Sequence, residues 1–151
     1  MISDTIQPLG ELKIVLRDKD GNIKDQRTVP NLVVNTGKNL IARRLGGIVT
    51  GTSATPSHMS VGMSTQVAAV GDTTLVSPVA GSITALSLPS VTSNIVSMTA
   101  TFGPGIGTGA LTEAGIFNAS SAGVMLCRTV FAVVNKDTSD TLTINWNITI
   151  A

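Results

Sequence analysis

The sequence predicts a mainly β fold, an antiparallel β-sandwich or barrel with one short α-helix near residues 37-45. Three observations carry this. The first is the segment from Thr141 to Ile150. Its even positions are Leu142, Ile144, Trp146, Ile148 and Ile150, and its odd positions are Thr141, Thr143, Asn145, Asn147 and Thr149. Strand side chains alternate faces, so one face is wholly apolar and the other small and polar. A helix would scatter the same apolar residues round its axis. The second is a series of short β-branched runs separated by Gly, Pro or Ser, the spacing of a sandwich or barrel. The third is that only one stretch carries convincing helix signals.

Taken in order, residues 1-10 hold spaced apolar side chains, Ile2, Ile6 and Leu9, with Pro8 among them. They are expected to form an extended N-terminal arm ahead of a single domain over 11-151. Leu12 to Arg17 alternates as a strand. Asp18-Lys19-Asp20-Gly21-Asn22 is a turn, because Asp-Gly and Gly-Asn tolerate positive φ. Ile23 to Val29 returns as a second strand. Its polar middle, Lys24 to Arg27, predicts an exposed edge on which charge discourages aggregation.

Pro30 to Val34 is extended. Asn35-Thr36 offers an N-cap, Arg43 and Arg44 suit the helix C-terminus, and Gly46-Gly47 stops the helix. His58 to Met63 is a short strand, and Asp72 to Leu75 one capped turn of helix. Ile83–Leu88, Ile95–Phe102, Leu111–Asn118 and Val124–Val134 complete the strands before the last one. Phe117 and Phe131 are expected to pack near Trp146.

Composition bounds the function. A chain of 151 residues buries roughly 70% of its unfolded surface and needs neither metal nor disulfide for a core. The formal net charge is +1 and 13% of residues are charged, about half the usual share. That is not the profile of a nucleic-acid binder, which concentrates Lys and Arg. Aromatics make up 3%, with no Tyr, which disfavours base-stacking platforms and aromatic-lined sugar sites. The weakly charged, Thr-rich remainder suits a protein that is covered by neighbours or that works outside the cell. Apolar runs are far too short for a membrane span. The N-terminus lacks a basic region followed by an apolar run, so synthesis in a cytoplasm is expected. Cys127, the single cysteine, sits in an apolar run and reads as a buried thiol.

Chemical motifs fail on inspection. Asp18-x-Asp20-x-Asn22 has Ile23 and Val29 where a calcium loop needs Gly and Glu. Thr36-Gly37-Lys38 lacks the upstream Gly of a phosphate-binding loop. Gly105-x-Gly107-x-x-Ala110 fits a dinucleotide pattern but precedes a strand, not a helix. His58 is the lone histidine, and no Gly-x-Ser-x-Gly elbow occurs. Glu113, the one acid in an apolar neighbourhood, is expected to accept backbone N–H bonds at a turn or to pair with Arg128. No catalytic residue, cofactor or metal site is assigned.

The order of features nevertheless resembles a family. A hairpin runs into Val29-Pro30-Asn31-Leu32-Val33-Val34-Asn35-Thr36-Gly37-Lys38-Asn39-Leu40. Met59-Ser60-Val61-Gly62 and Asp72-Thr73-Thr74-Leu75 follow. Then come Leu111-Thr112-Glu113-Ala114-Gly115-Ile116-Phe117-Asn118, Met125 to Phe131, and Asp140 to Trp146. Together these resemble small structural proteins of tailed bacteriophages, from about Glu11 onward. Gly62 is followed by Met63-Ser64-Thr65, where that family tends to have Gly-Thr-Gly. The resemblance implies a jelly-roll-like sandwich and a virion structural role. The favoured version is a capsid decoration (cement) protein, a homotrimer on the outer capsid surface that binds the major capsid protein. Alternatives are a tail, baseplate or fibre-attachment component, or a sugar-binding sandwich for host attachment. Nucleic acid and membrane are not expected partners. The expected partner contacts are Ile2, Ile6 and Leu9 of the arm and Thr143, Asn145 and Asn147 of the last strand.

Overall fold

The computed structural model describes residues 5–151. Nine strands and one helix follow one another: β1 (Pro8–Arg17), β2 (Ile23–Val33), α1 (Asn35–Leu45), β3 (His58–Gly62), β4 (Thr84–Ala85), β5 (Ser90–Thr92), β6 (Ile95–Phe102), β7 (Gly109–Phe117), β8 (Met125–Lys136) and β9 (Thr141–Ile150). All named strand pairings are antiparallel, in the order β4-β3-β7-β8-β2-β1-β9-β6-β5. The sheet curls into two layers. One holds β2, β1, β9, β6 and β5, and the other holds β8, β7, β3 and β4. The mainly β, antiparallel, sandwich-like class expected from the sequence is the class the chain adopts.

The layers join through β2, whose last residues Leu32 and Val33 pair with Arg128 and Cys127 of β8. At the other end the sheet nearly closes: after β4, Leu86 N–H donates to Ser57 O and Ser87 N–H to Thr99 O. The main core lies between the layers. Leu12, Ile14 and Leu16 of β1 meet Met98, Ala100 and Phe102 of β6 and the even residues of β9 across to Ala114, Ile116, Phe131 and Val134. Trp146 is fully buried there, opposite Leu12 on one side and Met98 on the other.

Several expectations change. Pro8 to Gly10, expected in the N-terminal arm, belong to β1 and pair with Ile150 to Ile148 of β9; residues 1–4 of the expected arm lie outside the described residues. Asn35 and Thr36 do not cap α1. Val34 is the N-cap residue, and the Thr36 hydroxyl donates instead to Met125 O at 2.8 Å. Gly37 in the first turn lies so close to the Leu126 carbonyl that a side chain there would overlap it. The edge expected over Ile23 to Val29 is present: β2 lies inside the sheet order, but it pairs with β8 only at Leu32 and Val33 and splays from it before them. Arg27 fills that gap, pairing with Asp25 and donating to the Ala132 carbonyl of β8 at 2.7 Å.

Asp72 starts no helix; its carboxylate is taken up elsewhere, as described below. The expected strand over Ile83–Leu88 shrinks to Thr84–Ala85. A strand not expected, β5, forms a tight hairpin with β6 through Ser93, which takes φ 53°. Phe131 joins the Trp146 core, but Phe117 does not. It belongs to a second small cluster with Val34, Leu75 and Met125.

Candidate interaction surfaces

The burial of β7 explains how the long segment between β3 and β4 is held. Residues Leu111 to Phe117 are buried on both faces. Ala114 and Ile116 face the main core. Glu113, Gly115 and Phe117 face outward, and the segment 63–82 lies over them. Leu75 sits against Gly115 at a spacing that leaves little room for a larger residue. Glu113 and Arg128 are both fully buried beneath this segment.

Arg128 Nε donates to Glu113 Oε2 at 3.0 Å, Nη1 to Asp72 Oδ2 at 2.7 Å, and Nη2 to Gln66 O at 2.9 Å. The remaining lone pairs of Glu113 accept Val76 N–H at 3.1 Å and Ser77 N–H at 2.7 Å. Both readings of Glu113 from sequence therefore hold at once. A buried charge needs this degree of pairing to be tolerated. Burial alone would raise the Asp72 carboxyl, but the Ala69 N–H and the Arg128 guanidinium overrule it and hold the group below its ordinary 3.8. Gly62 is glycine for a local reason: a side chain there would overlap the Glu113 carboxylate and Ser77 O.

A second charge cluster lies at the far end of the sandwich. Lys24 Nζ donates to Asp137 Oδ2 at 2.9 Å and to Asp140 Oδ2 at 2.6 Å. Buried Lys136 donates to Gly103 O and Asp140 O. Bonding to Lys24 holds Asp140 below its ordinary value, bonding to Asp140 raises Lys24, and desolvation lowers Lys136. Both clusters satisfy themselves and leave no free acid–base pair. His58 is likewise engaged, with Nδ1 2.9 Å from Ser57 Oγ. Desolvation pushes the Cys127 thiol far above its ordinary range, so it is a poor nucleophile. The Gly105–Ala110 run opens directly into β7, without the helix that a dinucleotide site requires. Among the described residues no group of three His, Cys, Asp or Glu gathers in metal-binding geometry, and no helix is long and apolar enough to cross a membrane.

What these clusters leave outside them is a surface of unusual composition. From Leu45 through Asn135 the only Asp, Glu, Lys or Arg residues are Asp72, Glu113 and Arg128. All three are consumed in one ion network. The surface built by this part of the chain therefore carries no unpaired Asp, Glu, Lys or Arg, yet it exposes Leu88 (97%), Val67 (80%) and Val91 (69%). An uncharged cleft of about 630 Å³ opens there, lined by Ser60, Thr74, Leu75, Phe117 and Ser121 among others.

The outward row of β9 is bordered by the uncharged Ser97, Thr99 and Thr101 of β6 on one side and by Glu11, Lys13 and Arg17 of β1 on the other. Thr143, Asn145 and Asn147 are half-buried and bonded across the strands. Asn145 Nδ2 donates to Thr99 Oγ1 at 2.9 Å, Ser97 Oγ donates to Asn147 Oδ1 at 2.7 Å, and Thr101 and Thr143 hydroxyls lie 3.4 Å apart. These bonds tie the face to β6 and take up part of its hydrogen-bonding capacity: one end of each Asn amide is engaged within the sheet. Leu9 sits opposite Thr149 and so shares this face. Ile6 leads away from it to a groove. Both Ile6 and Leu9 are more than half exposed. Ile2 lies outside the described residues.

The groove is the feature that sequence reasoning missed. It encloses about 660 Å³ between the segment 5–10 and α1. Leu32, Val33 and Ile150 line it together with Ile6, Leu9, Ile41 and Leu45, and among the described residues Lys38 is its one charged member. Leu45 is 80% exposed. The available signal was the apolar spacing Ile41–Leu45 on the same helix side as Lys38, which only a partner wall at residues 5–10 turns into a groove.

No family model, no curated protein and no solved structure matches this chain.

Proposed function

We propose that the chain is a structural protein of a tailed-phage virion, a decoration protein that lies on the assembled major-capsid lattice and stabilises the head. The observation that carries the reading is the surface between Leu45 and Asn135, on which no charge is left unpaired. An isolated domain commonly keeps charge on its surface for solubility and to guard strand edges. A surface without unpaired charge, with Leu88 exposed just before the edge strand β5 and Val91 exposed on it, suits a protein whose faces are covered by neighbours. The uncharged Thr/Asn row of β9 suits the same role, because a neighbour burying it has amide and hydroxyl groups to bond and no charge of that row to desolvate. Such a protein would act by association: binding the lattice and not its dissociated subunits stabilises the lattice by mass action. Repetition over symmetry-related sites adds avidity.

The test is particle stability together with copy number. Virions lacking the protein are expected to keep their tails and to release DNA at a lower temperature than wild type. Purified particles are expected to carry it in numbers that scale with the capsid lattice. Normal head stability with defective tails, and a copy number of about a dozen or fewer as in a symmetric ring, would replace the reading with a tail component.

A further inference from the structure

The layer built on β1 and β9 turns one side outward, and the pairing registers fix what lies on it. Along β1 the outward row is Leu9, Glu11, Lys13 and Val15, and β9 sets Thr149, Asn147, Asn145 and Thr143 beside these in turn. Beyond β9, β6 sets Ser97 beside Asn147 and Thr99 beside Asn145. Glu11 and Lys13 are exposed, and neither has an ion partner among the described residues. Asn145 donates its Nδ2 to Thr99, while Asn147 accepts from Ser97 at its Oδ1. The ends of the two amides that have no protein partner are therefore unlike, an acceptor on Asn145 and a donor on Asn147.

Such a face is its own complement. Its centre lies midway between the Glu11–Asn147 and Lys13–Asn145 pairs. A two-fold axis in the plane of the face, crossing the strands there, lays a second copy on the first with every row reversed. Glu11 then meets Lys13, Asn147 Nδ2 meets Asn145 Oδ1, Leu9 meets Val15, and Thr149 meets Thr143. Each contact occurs twice. Arg17, which donates to Gly21 O, falls on Gln7 and meets no like charge. Moving the axis by one residue brings Lys13 onto Lys13 or Glu11 onto Glu11, so charge selects the register.

We propose that the outer face of β1, β9 and β6 is a self-association surface, on which two copies stack about this axis with Glu11 of each paired to Lys13 of the other. Sheets stacked in this way keep their strands within about 30° of alignment, which the reversed rows allow. The size of the face is adequate. Strands β2, β1, β9 and β6, about 4.8 Å apart and about ten residues long at ~3.3 Å per residue, give a footprint of roughly 600 Å². That is of the order of the ~800 Å² that each partner contributes to a standard interface. The proposal concerns pairing of the chain with itself and does not depend on the virion reading.

Light scattering of the full chain over a concentration series tests this. The wild-type mass is expected to rise from 15.5 kDa to twice that value. Glu11→Lys alone, or Lys13→Glu alone, turns both ion pairs of the dimer into like-charge contacts and is expected to weaken association about tenfold. The two changes in one chain rebuild the pairs with their signs exchanged and are expected to restore the dimer, which a mere fold defect would not allow. Crosslinking supplies the second readout. Copies carrying Leu9→Cys, mixed with copies carrying Val15→Cys, are expected to join through a short thiol-to-thiol linker, and buried Cys127 does not compete. Within one chain these positions stand about 20 Å apart along β1, too far for the linker. Leu9→Cys copies alone are expected to stay unjoined. A chain that remains at monomer mass up to ~1 mM, or that assembles as a trimer, would overturn the proposal. So would a double variant no better than the single ones, or Leu9→Cys copies that join each other as readily as the mixed pair. A monomeric chain whose Glu11→Lys variant loses occupancy on purified virions would assign the face to a capsid partner instead.

Discussion

Two carboxylates and a carbonyl meet the fully buried Arg128 guanidinium; the Glu113 carboxylate is buried with it, and Asp72 keeps some solvent exposure. The value of such a network lies less in its net energy than in the cost of breaking it, since a lone buried charge has no compensation. Arg128→Met is expected to destabilise the fold by about 3–5 kcal/mol, as removal of one partner of a buried pair does. Denaturant unfolding would measure it. Hydrogen exchange would separate this from a general core defect: protection should fall first at the Val76 and Ser77 amides, which Glu113 holds. Uniform loss across all strands would show that the network does not specifically pin segment 63–82.

Among the elements, β9 is the centre of its layer, with β1 on one side and β6 on the other. Its apolar face is buried along its length from Leu142 to Ile148, and Trp146 is its largest side chain. Trp146→Ala is expected to cost about 3–5 kcal/mol, the range for removing a large buried aromatic, read as a lowered urea midpoint with unchanged slope. The indole Nε1 has no hydrogen-bond partner, so Trp146→Phe discards a group that is itself unfavourable. That variant is expected to lose much less than the alanine one. Equal losses would mean that the indole N–H is satisfied after all. The opposite face of β9 contributes through cross-strand bonds to β6 and is the part available to a neighbour.

For the whole molecule, charge position determines how stability follows pH. Asp140, Asp72 and Asp18 are all held below the ordinary 3.8, through Lys24, through Ala69 and Arg128 against burial, and through Asn22 respectively. A depressed carboxyl pKa gives stability that is present above the unfolded value and lost as pH falls through the folded one. Lys24 is raised above 10.5, so its contribution is complete below that value and lost as pH rises through the folded one. Lys136 is lowered, so its burial opposes folding at neutral pH, and that opposition lifts as pH rises towards 10.5. The two lysines therefore offset each other in base, while the three aspartates act together in acid. Thermal melting across pH is expected to show a steep fall below about pH 4 and a shallower one in base. Asp140→Asn is expected to flatten the acid limb. An unchanged acid limb in that variant would remove the Lys24–Asp140 clasp from the account.

Local pattern alone determined the β class, the alternation of β1 and β9, the first turn, the α1 span within two residues, and the buried state of Trp146, Cys127 and the Glu113–Arg128 pair. These follow from period-two spacing, turn chemistry and the need to pair a buried charge, all of which act over a few residues. What depends on distant neighbours required the tertiary structure. That β2 leaves the edge at Leu32 and Val33 rests on where β8 lies, and the place of Phe117 rests on which side segment 63–82 covers. Asp72 reads as a helix cap until Arg128 is brought beside it. The candidate surfaces divide in the same way. Thr143, Asn145 and Asn147 were legible because one strand displays them on a single face. The groove was not, because its walls come from the two ends of the chain and a helix between them, and only folding makes them neighbours.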